Sequence, residues 1–115
     1  MKSGIMFEQG DILIVPFPFS DLSSIKQRPV LVISKTIHNK NTEDIITCGI
    51  TSNLKDVKHS ILINNNNLES GQIPTQSRIK VDKLFTLDRS IVKKRIAKLN
   101  NTTINKVKKE FLDLV

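Results

Sequence analysis

Three short clusters hold the residue types that handle a phosphate: Lys26-Gln27-Arg28-Pro29, Ile50-Thr51-Ser52-Asn53, and the basic run Arg78-Ile79-Lys80-Val81-Asp82-Lys83. An arginine keeps its charge at any ordinary pH and offers a planar fork of donors to a phosphate, while neighbouring hydroxyls donate to the remaining oxygens. Asp82 adds a carboxylate that would serve as a base wherever its surroundings raise its pKa. Each cluster has a purely structural reading as well: Arg28 capping a strand or pairing with Asp21, Thr51 and Ser52 forming a turn, Asp82 pairing with Lys80 or Lys83. Composition and spacing alone favour those structural readings.

Other chemistries lack their residues. His38 falls in an expected turn and His59 in an expected strand, so nothing brings them together as an acid and base. Cys48 lies in an apolar run without an adjacent base, which marks a small buried hydrophobe rather than a nucleophile. A single cysteine forms no internal disulfide and offers no metal cluster, so no metal and no cofactor are expected. Gly-rich phosphate cradles, HExxH and GxSxG are all missing.

The elements that position the clusters follow from periodicity. Asp11 to Val15 reads as a strand buried on both faces, ended by Pro16 and Pro18 because proline cannot donate to a ladder. Phe17 to Gln27 reads as a polar loop, with Phe17 and Phe19 expected in the core. Pro29 opens a second strand over Val30 to Ser34. His38 to Asp44 reads as a turn region. Ile45 to Thr51 and Val57 to Ile63 are the third and fourth strands, and Asn64 to Pro74 is a loop. Arg78 to Val81 forms a fifth strand. Ile91 to Leu99 fits a strand or a helix, and strand is favoured. Ile104, Val107, Phe111, Leu114 and Val115 recur at helical spacing after Asn100 or Asn101, either a suitable N-cap. Several short strands closed by one amphipathic helix describe a mainly β fold, a small barrel or roll.

At 115 residues, with 38% hydrophobic and 25% charged side chains, the chain fits one domain spanning 1–115 with a modest core. No apolar run reaches the roughly 18 residues that a membrane helix needs, and MKSGIMFEQGD lacks a signal-peptide core, so a cytoplasmic protein without membrane contact is expected. The net charge is +7, and all of it resides in the last third. Residues 1–77 hold seven basic and seven acidic side chains, whereas residues 78–115 hold eleven and four. Such a field attracts polyanions, although a lysine-rich solvated face reads equally well. With no Trp or Tyr and five Phe, an extended stacking platform for single strands is not supported.

GDILIVPFPFSDLSSIKQRPVLVIS (residues 10–34), GITS (residues 49–52) and SRIKVDKLFTLDRS (residues 77–90) together, and in this order, resemble the PemK/MazF-type toxin endoribonucleases, the third in the variant of a KLFTL-type branch. The resemblance implies an SH3-like barrel with an appended helix, assembled as a homodimer, that cleaves single-stranded RNA without a metal and leaves a 2′,3′-cyclic phosphate and a 5′-hydroxyl. It implies a cognate antitoxin as partner, with operator DNA contacted through the antitoxin complex. Carried over by position, Arg28 matches the family's catalytic arginine and Thr51 its catalytic threonine, with Ser52 beside it. Lys80 and Asp82 match an arginine and an aspartate that assist in a second branch, where lysine at 80 lacks the bidentate fork. That branch also uses a histidine where Ser23 and Ser24 stand here, so its histidine mechanism does not transfer. Lys26, Gln27, Lys80 and Lys83 are the expected RNA contacts, and the loop from Ser20 to Gln27 is expected to cover the groove. Two other functions remain open on the sequence: a catalytically silent nucleic-acid-binding module and a gyrase poison of the same fold class.

Overall fold

The computed structural model describes residues 6–18 and 25–115. Seven antiparallel strands form one curled sheet in the order β4-β6-β3-β2-β1-β7-β5. Their ranges are β1 Asp11–Pro18, β2 Ile25–Val32, β3 Asp44–Thr51, β4 Ser60–Ile63, β5 Leu68–Gly71, β6 Ser77–Asp88 and β7 Lys94–Leu99. Two helices, α1 Thr36–Asn41 and α2 Asn101–Leu114, complete the fold. The expected small roll with a C-terminal helix is therefore present.

The curl divides the apolar side chains into two groups. Ile12, Leu31, Cys48, Ile50, Ile63, Ile79, Val81 and Leu99 fill the main core, and Ile104, Val107 and Phe111 of α2 pack against it. Leu13, Val15, Val30, Val32 and Ile45 form a second cluster with Phe7 on the opposite face. Alternation along β1 and β2 feeds both groups, so these strands carry apolar residues at nearly every position. The Asn100 side chain accepts from the Thr103 N–H at 2.9 Å and caps α2, one of the two expected N-caps.

Several expectations need correction. β1 does not stop at Val15: Pro16 pairs with Gln27 and Pro18 with Ile25. The β7 partner of β1 ends at Ile14, so beyond that point one side of β1 has no paired strand among the described residues, and a proline there removes no bond of that ladder. The second strand accordingly begins at Ile25, and Lys26 and Gln27 are strand residues rather than loop residues. The rest of the supposed groove loop, with Phe19, Asp21, Ser23 and Ser24, lies outside the described residues, as does the Phe17 side chain.

The expected turn at His38 to Asp44 is mostly α1. Its support comes from elsewhere in the chain and is invisible to local periodicity. The buried Asn39 amide donates to the carbonyls of Phe7 and Ser34, and the Arg89 guanidinium donates to the Asn39 carbonyl while lying over the Phe7 ring. The expected loop at Asn64 to Pro74 holds a 3-10 turn, Asn65–Asn67, and the short edge strand β5. The fourth strand starts at Ser60 instead of Val57, after a turn in which His59 adopts φ 60. The fifth extends to Asp88, across a wide bulge. Ile91 to Leu99 resolves as a 3-10 turn at Arg89–Ile91 followed by β7, the strand reading.

Candidate functional site

The first two sequence clusters meet where β2 and β3 part. Their ladder runs Val32↔Thr47, Leu31↔Cys48, Val30↔Gly49 and stops before Pro29, which has no N–H to continue it. Beyond that point the start of β2 and the end of β3 border a cleft of about 330 Å³. Gln27, Arg28, Pro29, Ile50 and Ser52 line it from these two strands, and Thr75 and Ser77 add hydroxyls from the segment entering β6.

Directly opposed residues of an antiparallel pair project to the same face, and alternate residues share it. Ile61, Ile79 and Ile50 are in register across β4, β6 and β3, and all pack toward the main core. The next row, Leu62, Arg78 and Thr51, therefore lies on the other face. Extending the β2–β3 register past Pro29 sets Arg28 opposite Thr51, and the β1–β2 register sets Arg28 opposite Val15. A guanidinium strand position and a threonine position thus share one row; Arg28, Gln27 and Ser52 line the cleft, whereas Thr51 adjoins it in the chain, between the lining residues Ile50 and Ser52. Arg28 and Thr51 are half-buried, and Ser52, Gln27 and Lys26 are exposed.

The Thr51 hydroxyl is held. Its Oγ1 accepts from the Asn53 N–H at 3.1 Å, a turn in which the side chain stands in for backbone. Asn53 in turn accepts from the Lys55 N–H through Oδ1 at 3.0 Å. A hydroxyl that accepts one bond retains its own proton to donate.

The third cluster is distributed differently. Between the pairs Cys48↔Leu84 and Gly49↔Lys80 the β6 register jumps, leaving Val81, Asp82 and Lys83 as a bulge. Lys80 sits two rows inward from Arg78, between Gly49 and Ser60, half-buried. Asp82 and Lys83 are exposed. None of the three lines the cleft. The Asp82 charge is felt instead by Cys48: burial, and then this carboxylate, push the thiol up to about 12, so the cysteine stays protonated.

The strand pairing also brings in Arg78, which the sequence places in the basic third cluster without a role of its own. It pairs with Thr51 directly. The signal was present in the SRIKVDKLFTLDRS motif, but only a register distinguishes Arg78 from Lys80. Thr75 and Ser77 were missed for a simpler reason: the approach to β6 carries no periodicity.

Among the described residues, no three His, Cys, Asp or Glu side chains gather in a way that would hold a metal ion. None of the described helices is long and apolar enough to cross a membrane. A second, larger cleft of about 410 Å³ lies beside α2, between Ile104, Val107, Phe111 and the residues Leu31 and Ile33 at and just past the end of β2. It is almost wholly apolar, and its chemistry is packing rather than catalysis.

Residues 8–115 match the family described as PemK-like, MazF-like toxin of type II toxin-antitoxin system. No curated protein matches the chain significantly. Among solved structures, a MazE-MazF complex from Deinococcus radiodurans superposes with TM-score 0.78 at 20% identity, covering 96% of this chain and 96% of that one. An endoribonuclease from Mycobacterial species gives TM-score 0.76 at 15% identity, over 97% of this chain and 93% of that one. An endoribonuclease in complex with its cognate antitoxin, also from Mycobacterial species, gives 0.73 at 16% identity, with 92% and 91% covered. At these identities the likeness is one of fold.

Proposed function

Because the chain belongs to the PemK-like, MazF-like toxin family of type II toxin-antitoxin systems, we propose that it is a sequence-selective endoribonuclease acting on single-stranded RNA in the cytoplasm, as a homodimer restrained by its own antitoxin. What supports this reading is that Arg28, Gln27 and Ser52 line one cleft, with Thr51 next to Ser52 and set opposite Arg28 when the β2–β3 register is continued past Pro29. The three family motifs supply the same residues from the sequence side.

In the proposed reaction the ribose 2′-oxygen attacks the adjacent phosphorus as its proton is removed, and the bond to the 5′-oxygen breaks as that oxygen takes up a proton. The products are a 2′,3′-cyclic phosphate and a 5′-hydroxyl. Negative charge grows on the non-bridging oxygens, and fixed donors placed around them lower the barrier. Arg28 meets that charge with its fork, and the Thr51 hydroxyl donates its free proton to the same phosphate. Ser52 assists from inside the cleft. The 2′-proton passes to a base; Asp82 is the one carboxylate among the residues carried over, it stands outside the cleft lining, and the pH dependence of Asp82→Asn tests that role. Lys26, Gln27, Lys80 and Lys83 hold the flanking backbone, a contact that weakens with salt. The basic last third suits an acidic antitoxin segment as well as RNA. DNA lacks the 2′-hydroxyl and would bind without being cut.

The test is incubation of the purified protein with a long single-stranded RNA in excess chelator, followed by mapping of the ends. Discrete fragments with cyclic phosphate termini, lost in Arg28→Ala and lost when the cut site carries a 2′-deoxyribose, are expected. Salt-dependent binding of many RNAs with no cleavage of any would overturn the reading in favour of a silent binding module.

A further inference from the structure

The eight residues between β3 and β4, 52–59, have no regular structure, yet one side chain beneath them ties three points together. The Arg78 Nε–H donates to the Leu54 carbonyl at 3.0 Å. Its Nη1 donates to Ser60 Oγ at 3.2 Å, and the Ser60 hydroxyl donates onward to the Val57 carbonyl at 2.6 Å. Nη1 also lies 3.4 Å from Asp56 Oδ1, a contact of little weight because Asp56 is 85% exposed. The Arg78 side chain itself is only 13% exposed.

This placement separates Arg78 from a cation meant for RNA. Nε and Nη1 are already committed to protein acceptors, and the loop covers the guanidinium. Its main acceptor, Leu54, directly follows Asn53, whose N–H holds the Thr51 hydroxyl. Its own backbone is the ladder partner of Thr51. A freed Leu54 carbonyl would loosen the turn that presents the Asn53 N–H, and the threonine hydroxyl would then lose the bond that orients it.

We propose that Arg78 is a positioning residue for the Thr51 hydroxyl, fixing the turn at Asn53 through the Leu54 carbonyl. The role rests on the nuclease reading above, and its geometry does not depend on Arg78 touching RNA. Since a misplaced donor is felt in the transition state more than in the bound substrate, its loss falls on kcat rather than KM.

The experiment is a double-mutant cycle in RNA cleavage, combined with amide hydrogen exchange at Asn53. Arg78→Gln is expected to lower kcat about tenfold with KM nearly unchanged, and to add nothing further in a Thr51→Val background. Arg78→Lys keeps the charge and the stem but cannot bond Leu54 and Ser60 as a fork, so it should show the same kcat loss. It also serves as the variant to measure if Arg78→Gln does not fold. In either variant the Asn53 amide should exchange severalfold faster while the amides within β3 are unchanged. An equal loss in the Thr51→Val background, a loss mainly in KM, or unaltered Asn53 exchange overturns the proposal. Absence of RNA cleavage by the wild-type protein alongside accelerated Asn53 exchange would instead refute the nuclease reading and leave Arg78 as the anchor of the turn.

Discussion

Thr51→Val is the most direct probe of the site, because it removes a hydroxyl and keeps the shape. In the structure that hydroxyl accepts a single 3.1 Å bond, from the Asn53 N–H. Its removal leaves one amide at an exposed loop position unpaired, and water can replace the partner. The stability cost is therefore small, about 1 kcal/mol or less. The catalytic cost is of another order. Withdrawing one preorganised donor from a developing oxyanion costs about 10²- to 10³-fold in kcat. Thr51 is half-buried at the end of β3, where water competes for the phosphate, so the lower end applies and a loss of about 100-fold, near 2.7 kcal/mol, is expected. Thr51→Ser retains the donor and should stay within about tenfold of the wild type. The assay is single-turnover cleavage of a short fluorogenic RNA at several concentrations, alongside a thermal melt. A Thr51→Val protein that cleaves within about threefold of the wild type would refute the role argued for the hydroxyl.

Three further outcomes follow from local geometry. Glu8 Oε1 and Lys98 Nζ lie 2.6 Å apart; the hydrogen bond to Lys98, and then its charge, hold the Glu8 carboxyl below its ordinary 4.5, while the bond to Glu8 raises Lys98 above 10.5. The stabilisation is thus complete between those two ordinary values, fading as pH falls through the depressed Glu8 pKa and as it rises through the raised Lys98 pKa. Because the pair is partly exposed, Glu8→Gln should cost under about 1 kcal/mol at neutral pH, with the difference in Tm vanishing in acid. Cys48 should resist alkylation in the native protein at mildly alkaline pH and react only on unfolding, as mass spectrometry would show; rapid native labelling would contradict its burial and its pKa of about 12. Gly71 has φ +77, and a Cβ there would lie 2.2 Å from the Ile96 carbonyl oxygen, so Gly71→Ala must displace backbone and should lower stability by about 2 kcal/mol or more in chemical denaturation.

What the sequence made legible was what depends on short-range pattern. The alternating and branched apolar runs marked β1, β3 and β7, and Asn100 announced α2. Long-range support hid the rest. α1 exists because Asn39 reaches Phe7 as well as the nearby Ser34, and no local window contains Phe7. β5, at the edge of the sheet, holds a single apolar side chain, Leu68, too little for a periodic signal. β1 ran through two prolines because its outer neighbour had already ended, which is a property of the sheet and not of the strand. The site divided in the same way. Arg28, Thr51 and Ser52 stood out by residue type and motif, while Arg78 became distinguishable from Lys80 only once the register was known.

The location of the cleft follows from where hydrogen-bonded pairing fails. Pro29 ends the β2–β3 ladder, and the bulge at Val81, Asp82 and Lys83 breaks β3–β6 on the other side of the same strand. The C-terminal end of β3, past the bulge, is consequently paired with β6 alone, through Ile50↔Ile79 and Thr51↔Arg78. A sheet interior offers no room for a substrate, because its donors and acceptors are consumed by neighbours. Here the end of the β2–β3 ladder releases that room beside Ile50 and Ser52, and the Arg78 guanidinium ties down the segment that follows β3. Restoring the ladder should then close the site. Pro29→Val supplies the missing N–H together with a strand-forming side chain, and is expected to raise Tm while lowering cleavage of RNA, whereas a gain in stability with activity intact would show that the parting of β2 and β3 is incidental to function.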